Sequence, residues 1–154
     1  MILLDTDHLS VLMDEQQAQY AGLAMRLVAS SDQDFWTSVV SLEEHFRGWT
    51  AEIARRKKPI DQVSPYERLE RLVEFYAGWR ILSFDAKAAN TFTHLKRQHR
   101  RIGTQDLKIA AIALANDALL LTANSVDFER IAGLRLEDWL PHPPPDEIAP
   151  RLPR

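Results

Sequence analysis

Short apolar runs alternate along the chain with longer stretches whose apolar residues recur at helical spacing. Met1-Ile2-Leu3-Leu4 ends abruptly at Asp5 and reads as a buried strand. Residues 7–30 break into short polar and apolar stretches at helical spacing and predict two helices. Phe35-Trp36-Thr37-Ser38-Val39-Val40 is β-branched and aromatic, which predicts a second strand. Leu42, Phe46, Trp49 and Ile53 form a helical stripe within residues 41–58. Pro59 and Pro65 punctuate a connection, and Leu69, Leu72, Val73 and Tyr76 make the next stripe. Ile81-Leu82-Ser83-Phe84 predicts a third strand, and residues 85–98 a helix. Gly103 marks a break before an Ala- and Ile-rich helix over 107–114. Residues 118–122 predict another buried strand, and Leu134-Arg135-Leu136 a short edge strand.

Strands separated by helices imply a parallel sheet covered on both faces. The expected class is therefore α/β, an α/β/α sandwich around a mostly parallel sheet of four or five strands. The expected domain covers residues 1–139. The Pro-rich stretch 140–154 has little to pack and is expected to be a mobile tail.

A length of 154 residues suits one domain. The absence of cysteine excludes disulfides, thiolate metal sites and cysteine nucleophiles, and fits a reducing compartment. The apolar start is too short for a signal peptide, and no run approaches the roughly 20 residues of a membrane span. A cytoplasmic protein without membrane contact is expected. The net charge is −3, from 19 basic and 22 acidic residues. Nucleic-acid contact must then come from local basic patches or from metal bridging to phosphate, not from overall charge.

Four acids fall where a strand ends or a helix begins, and in open parallel sheets ligands bind outside the carboxyl ends of the strands. Asp5 follows the first strand, and a strand-terminating turn residue is the equal alternative. Glu44 lies in Ser41-Leu42-Glu43-Glu44, where Ser-x-x-Glu spells a capping box. Gly48, four residues on, keeps the same helical face bare beside that carboxylate, at a cost of about 1 kcal/mol relative to Ala. Asp106 sits in a first helical turn, where an acid suits the dipole, yet Ile109, Ala110 and Ala113 share its face. Asp127 follows the fourth strand, where it and Asn124 either turn the chain or donate oxygen to a hard cation. Each pair of carboxylates about 4 Å apart costs roughly 4 kcal/mol at an effective dielectric of 20. Such a cluster persists by protonation or by binding a cation. Oxygen ligands without Cys or a His pair select Mg²⁺ or Mn²⁺ over Zn²⁺. The matching chemistry is phosphodiester hydrolysis.

Leu3-Leu4-Asp5-Thr6, Glu44-x-x-x-Gly48, residues 102–111 (Ile-Gly-Thr-Gln-Asp-Leu-x-Ile-Ala-Ala) and Thr122-x-Asn124-x-x-Asp127-Phe128 resemble, in order, the motifs of PIN domains. The run from Phe128 to Trp139 is similar to the ending of VapC-type toxins of bacterial toxin–antitoxin pairs. The resemblance covers residues 1 to about 139. It implies a Mg²⁺- or Mn²⁺-dependent endoribonuclease, a homodimer, an RNA substrate and a cognate antitoxin that fills the acidic cleft. It further implies that Asp5, Glu44 and Asp106 are metal ligands and Asp127 the fourth acid, with Thr6, Thr122 and Asn124 as polar support. Glu43 adjoins Glu44, and the spacing to Gly48 selects Glu44. His45 departs from the pattern, since an apolar residue is usual there.

Two basic clusters remain, Arg55-Arg56-Lys57-Lys58 and Lys96, Arg97, Arg100 and Arg101. Each reads first as a solvated helix end. The second leads directly to Gly103 and Asp106, and is the candidate for RNA phosphate. The four tryptophans read as core or dimer contacts, and the five histidines show no ligand spacing. Two other functions fit part of the pattern. Asp5-Thr6-Asp7 mimics the Asp-x-Asp nucleophile of haloacid-dehalogenase-like phosphatases, although no later Gly-Asp-x-x-x-Asp motif follows. A metal-dependent binding module without turnover would use the same acids.

Overall fold

The computed structural model describes residues 1–141. Five strands form one parallel sheet: β1 (Ile2–Leu4), β2 (Phe35–Ser38), β3 (Ile81–Leu82), β4 (Leu119–Leu121) and β5 (Arg135–Glu137). Their order is β3-β2-β1-β4-β5, and every neighbouring pair is parallel. The helices are α1 (Thr6–Leu12), α2 (Tyr20–Ala29), α3 (Val39–Arg55), α4 (Pro59–Ala77), α5 (Ala86–Gln98), α6 (Thr104–Ala115) and the short α7 (Ser125–Phe128).

The period of two along β1 divides the interior. Leu3 faces a core completed by Leu120 of β4 and by α5 and α6, including Leu95, Leu107, Ile109 and Ile112. Ile2 and Leu4 face the other core, with Leu121, Leu9 of α1, Leu23 of α2 and Leu72 and Tyr76 of α4. The result is the expected α/β/α sandwich.

From β1 the strand order proceeds outward in both directions, to β2 and β3 on one side and to β4 and β5 on the other. The gap between β1 and β4 is therefore the topological switch point, where such sheets open a crevice at their carboxyl ends. Leu4 pairs with Leu121, and the Asp5 amide donates to the Leu121 carbonyl at 2.9 Å. This pairing sets Asp5 and Thr122 side by side at that edge.

Several local expectations change. Val39 and Val40 belong to α3, because Ser38 ends the strand and caps the helix, its Oγ accepting from Ser41 N at 2.9 Å. The N-cap is thus three residues earlier than the Ser41-x-x-Glu44 box implied, and Glu44 is released from capping. Pro59 opens α4 at a position where its missing N–H costs nothing. Pro65 lies inside that helix and is buried, so packing overrides a penalty of about 3 kcal/mol. Val73 points to solvent. The turn expected around Asn124 and Asp127 winds into α7. At the carboxyl end, Leu140 is buried in the α1/α2 core, and the ring of Pro141 packs over Gly22. The packed body therefore reaches past residue 139. The rest of the expected tail, residues 142–154, lies outside the described residues.

Candidate active site

Asp5 leaves β1 at its carboxyl end and caps α1. One carboxylate oxygen accepts from Thr6 N at 2.7 Å, the other from the Thr122 hydroxyl at 2.9 Å. Only 6% of the residue is exposed. Burial pushes its pKa from 3.8 up to about 7, with help from the charges of Asp7 and Glu44 and against the two hydrogen bonds.

Glu44 stands on the second turn of α3, and its Oε2 accepts from the Thr6 hydroxyl at 2.5 Å. One residue, Thr6, thus links both acids: its amide holds Asp5 and its hydroxyl holds Glu44. Burial and the charge of Asp106 raise the Glu44 pKa, despite that hydrogen bond. Glu43 turns outward to Arg47 and to Gln105, whose Nε2 donates to it at 2.6 Å. The geometry thus separates the two neighbouring glutamates and leaves Glu44 facing the cleft.

Asp106 lies in the first turn of α6, and its pKa is also raised, by burial and by the charges of Asp127 and Asp7. Its carboxylate leans over Gly103: a Cβ at that glycine would stand 2.8 Å from Asp106 Oδ2. Residue 103 is thus kept bare for a carboxylate, not for a left-handed turn. Asp127 is half-buried on α7, on the Asp106 side of the cleft. Thr122 is fully buried and accepts from Asn124 N at 3.1 Å. Asn124 therefore supports the cluster through its backbone, while its side chain makes no capping bond.

The acids form a connected series of charges: Asp5 with Asp7 and Glu44, Glu44 with Asp106, and Asp106 with Asp127 and Asp7. Their charges reach one another, yet among the described residues no three acidic or His side chains converge closely enough to hold one metal ion. Charge acts over a longer range than coordination, and Asp5 and Glu44 are each turned onto a hydroxyl. The donor set nevertheless suits a hard divalent cation. It is built of oxygens, three of its carboxylates are raised, and among the described residues no ion pair neutralises Asp5, Glu44 or Asp106.

Asp7 supports the site although the sequence offers it only in the phosphatase reading, and His8, three residues after Asp5 and within reach of the site by sequence, lies behind it. Asp7 accepts from Ala123 N and His8 N, both at 2.6 Å, and from His8 Nδ1 at 2.8 Å. Burial pushes its pKa up, but the hydrogen bonds from His8 and Ala123 outweigh it, and the net shift is downward. His8 is fully buried, and its Nε2 accepts from Trp139 N at 3.1 Å. The proton on Nδ1 is assigned from these partners. The adjacency of Asp7 to Asp5 is the signal the sequence carries for it. His45 is held between Ser10 Oγ at 2.9 Å and the Tyr76 hydroxyl at 2.7 Å, and burial pushes its pKa down. That pair of partners explains a polar residue at an apolar position.

From Glu44 an open groove of about 630 Å³ runs between α3 and α4 past Gly48 and Trp49. A Cβ at Gly48 would meet nothing within 4 Å, so the bare face opens to solvent and no protein backbone demands it. Of the two basic clusters, Arg55 and Arg56 pair with Glu52. Lys96 lies over the Phe92 ring. Arg97, Arg100 and Arg101 line a separate concavity.

The chain is 43% identical over 70 residues to Ribonuclease VapC1 of Haemophilus influenzae, a match covering 46% of this chain and 50% of that protein. It is 37% identical over 82 residues to the tRNA(fMet)-specific endonuclease VapC of Shigella flexneri, covering 49% and 60%. The chain thus spans about half the length of the curated relatives it matches. Among solved structures, VapBC2 of Rickettsia felis bound to a DNA fragment from their promoter superposes with a TM-score of 0.67 at 26% identity, covering 90% of this chain and 99% of that one. FitAcB of Neisseria gonorrhoeae superposes with a TM-score of 0.65 at 25% identity, covering 90% and 97%. The profile of the PIN domain matches residues 2–134, from the first strand through the acid-bearing turn after β4, and the chain belongs to the PIN domain family.

Proposed function

We propose that this chain is a divalent-metal-dependent endoribonuclease and the toxin of a toxin–antitoxin pair. The observation that carries the reading is Asp5: a carboxylate 6% exposed, at the switch point of a parallel sheet, raised to about 7 and without a cationic partner among the described residues. Asp5, Glu44 and Asp106 would hold Mg²⁺ or Mn²⁺, with Asp127 as the fourth acid. Bound there, such an ion would supply positive charge against the phosphodiester and make a nearby water more acidic.

The chain's own residues prepare the site. Thr6 N and the Thr122 hydroxyl fix the rotamer of Asp5, and the Thr6 hydroxyl fixes Glu44. Asp7 is tied to the β4–α7 turn through Ala123 N, and so holds the Asp127-bearing segment against α1. His8 carries the same tie on to Trp139. The groove beyond Glu44 is open enough to admit a polymer.

The relatives named as ribonucleases support RNA as substrate, and the VapBC neighbours support a cognate antitoxin as partner. A homodimer acting in the cytoplasm completes the proposal; no helix among the described residues is long and apolar enough to cross a membrane. The phosphatase reading is less well supported. Asp5 has both oxygens engaged by donors, and Asp7 accepts three hydrogen bonds of 2.6–2.8 Å, which suits a scaffold better than a nucleophile and an acid.

The test is cleavage of a labelled RNA by the full chain with Mn²⁺. Wild type cuts, EDTA stops cutting, and Asp5→Asn and Asp106→Asn each lower the rate by about a hundredfold or more. Cleavage persisting in both variants, or in EDTA, would remove the assignment.

A further inference from the structure

Arginine side chains in this protein fall into two groups. Most are committed. Arg47, Arg55, Arg56, Arg80 and Arg135 pair with acids, Arg26 and Arg68 lie over tryptophan rings, and Arg71 donates to a carbonyl. Among the arginines of the described residues, only Arg97, Arg100, Arg101 and Arg130 have no ion pair, no side-chain hydrogen bond and no ring contact, and all four line one concavity of about 380 Å³. No acid lines it; its other walls are Gln98, His99 and Ile102.

The backbone holds this arrangement in place. Ile102 N donates to the His99 carbonyl at 3.3 Å, closing a turn that presents Arg100 and Arg101 at its corners. Ile102 and Ile131 are both buried in the α5/α6 core, which anchors the turn and the residue after Arg130. Four arginines around one hollow, with no acid among its walls, gather like charge there, and an anion that enters is attracted. Guanidinium forks suit phosphate oxygens in particular, since they donate two parallel bonds.

The position of the hollow names the ligand. Arg101 leads through Gly103 into Asp106, and Arg130 follows Asp127 by three residues. A fully extended chain would separate Arg130 from Asp127 by at most about 11 Å between Cα atoms. Both polypeptide segments that carry the acids of the α6/α7 side therefore run directly into this basic hollow. We propose that it is a subsite for the RNA backbone, holding phosphates of nucleotides that flank the scissile bond. The subsite comprises Arg97, Arg100, Arg101 and Arg130. It excludes Lys96, and it includes a residue far from the basic run in sequence. It also resolves how a chain of net charge −3 would grip a polyanion: the cations are gathered at one place and left unpaired there. The substrate class rests on the nuclease reading.

The test reads binding apart from turnover. Full-length protein carrying Asp106→Asn is titrated, in EDTA, into a fluorescein-labelled single-stranded RNA of about 16 nucleotides at several salt concentrations. Adding Arg100→Gln and Arg130→Gln together should weaken binding at least tenfold at low salt. The double change should also reduce the slope of log K against log salt by about 1.4, near 0.7 for each lost phosphate contact. Lys57→Gln with Lys58→Gln removes as much charge from another exposed site and should leave the slope unchanged. The loss should be the same for two unrelated RNA sequences, because phosphate contacts carry no base code. An equal loss in both double variants, or no loss in the arginine pair while its thermal melt matches the parent, would overturn the subsite. Cleavage data decide the nuclease reading separately, because this binding needs neither metal nor cutting.

Discussion

Asp5→Asn isolates the strain that the acidic cleft places on the metal-free fold. The substitution keeps the shape of the side chain and an oxygen to accept from Thr6 N, places an NH2 that can donate to the Thr122 hydroxyl, and removes the charge. Asp5 titrates near 7 when folded, against 3.8 ordinarily. That difference corresponds to about 4 kcal/mol at 1.36 kcal/mol per pH unit. The fold favours the protonated acid, so the stabilising effect of its proton is fully present below about pH 4 and is lost as pH rises through about 7. Metal-free wild type should therefore lose ground to Asp5→Asn across that window. For a domain of this size, 1 kcal/mol moves Tm by about 2–4 °C. The variant should melt about 8–16 °C higher than wild type at pH 8 in EDTA, with the gap closing towards pH 5. Glu44 and Asp106 are raised as well, and leave the variant a residual slope of the same sign. Mn²⁺ at a hundredfold excess over its Kd should return about 2.7 kcal/mol to wild type at pH 8 and little to the variant. A gap in Tm that does not change between pH 5 and pH 8 would refute the reasoning.

Two further substitutions separate positioning from stability. In Gly103→Ala the new Cβ would press on Asp106 Oδ2, a movable side-chain atom, while the backbone at φ −56° and ψ 148° accepts alanine. Stability by thermal melt should stay within about 1 kcal/mol, whereas RNA cleavage should fall by about tenfold to a hundredfold as the carboxylate is displaced. Ser38→Ala removes the N-cap of α3 and should cost about 1 kcal/mol, read as a drop in Tm of about 2–4 °C; an unchanged Tm would return the cap to Ser41.

The acids could be placed from the sequence because each is announced locally. A four-residue apolar run stops at Asp5, and a helical apolar face carries Asp106. Their support could not be read in the same way. Asp7 is bonded by Ala123 N, and His8 by Trp139 N, partners more than a hundred residues away. Ser38 and Ser41 both suit the N-cap of α3 by residue type, and only the backbone turn at Ser38 decides between them. Pro65 looks like a break until its burial inside α4 is seen. The basic run at 96–101 was visible, but Arg130 joins it only through the packing of Ile102 and Ile131 in one core. Local chemistry was thus legible, and long-range pairing was not.

Asp5, Glu44 and Asp106 are proposed to hold one divalent ion together. Calorimetric titration of Mn²⁺ into the full chain at pH 8 tests it most directly. Wild type should show a saturable site whose affinity falls about tenfold to a hundredfold or more in each of Asp5→Asn, Glu44→Gln and Asp106→Asn, with all three still folded. Equal Mn²⁺ affinity in wild type and all three variants would contradict it.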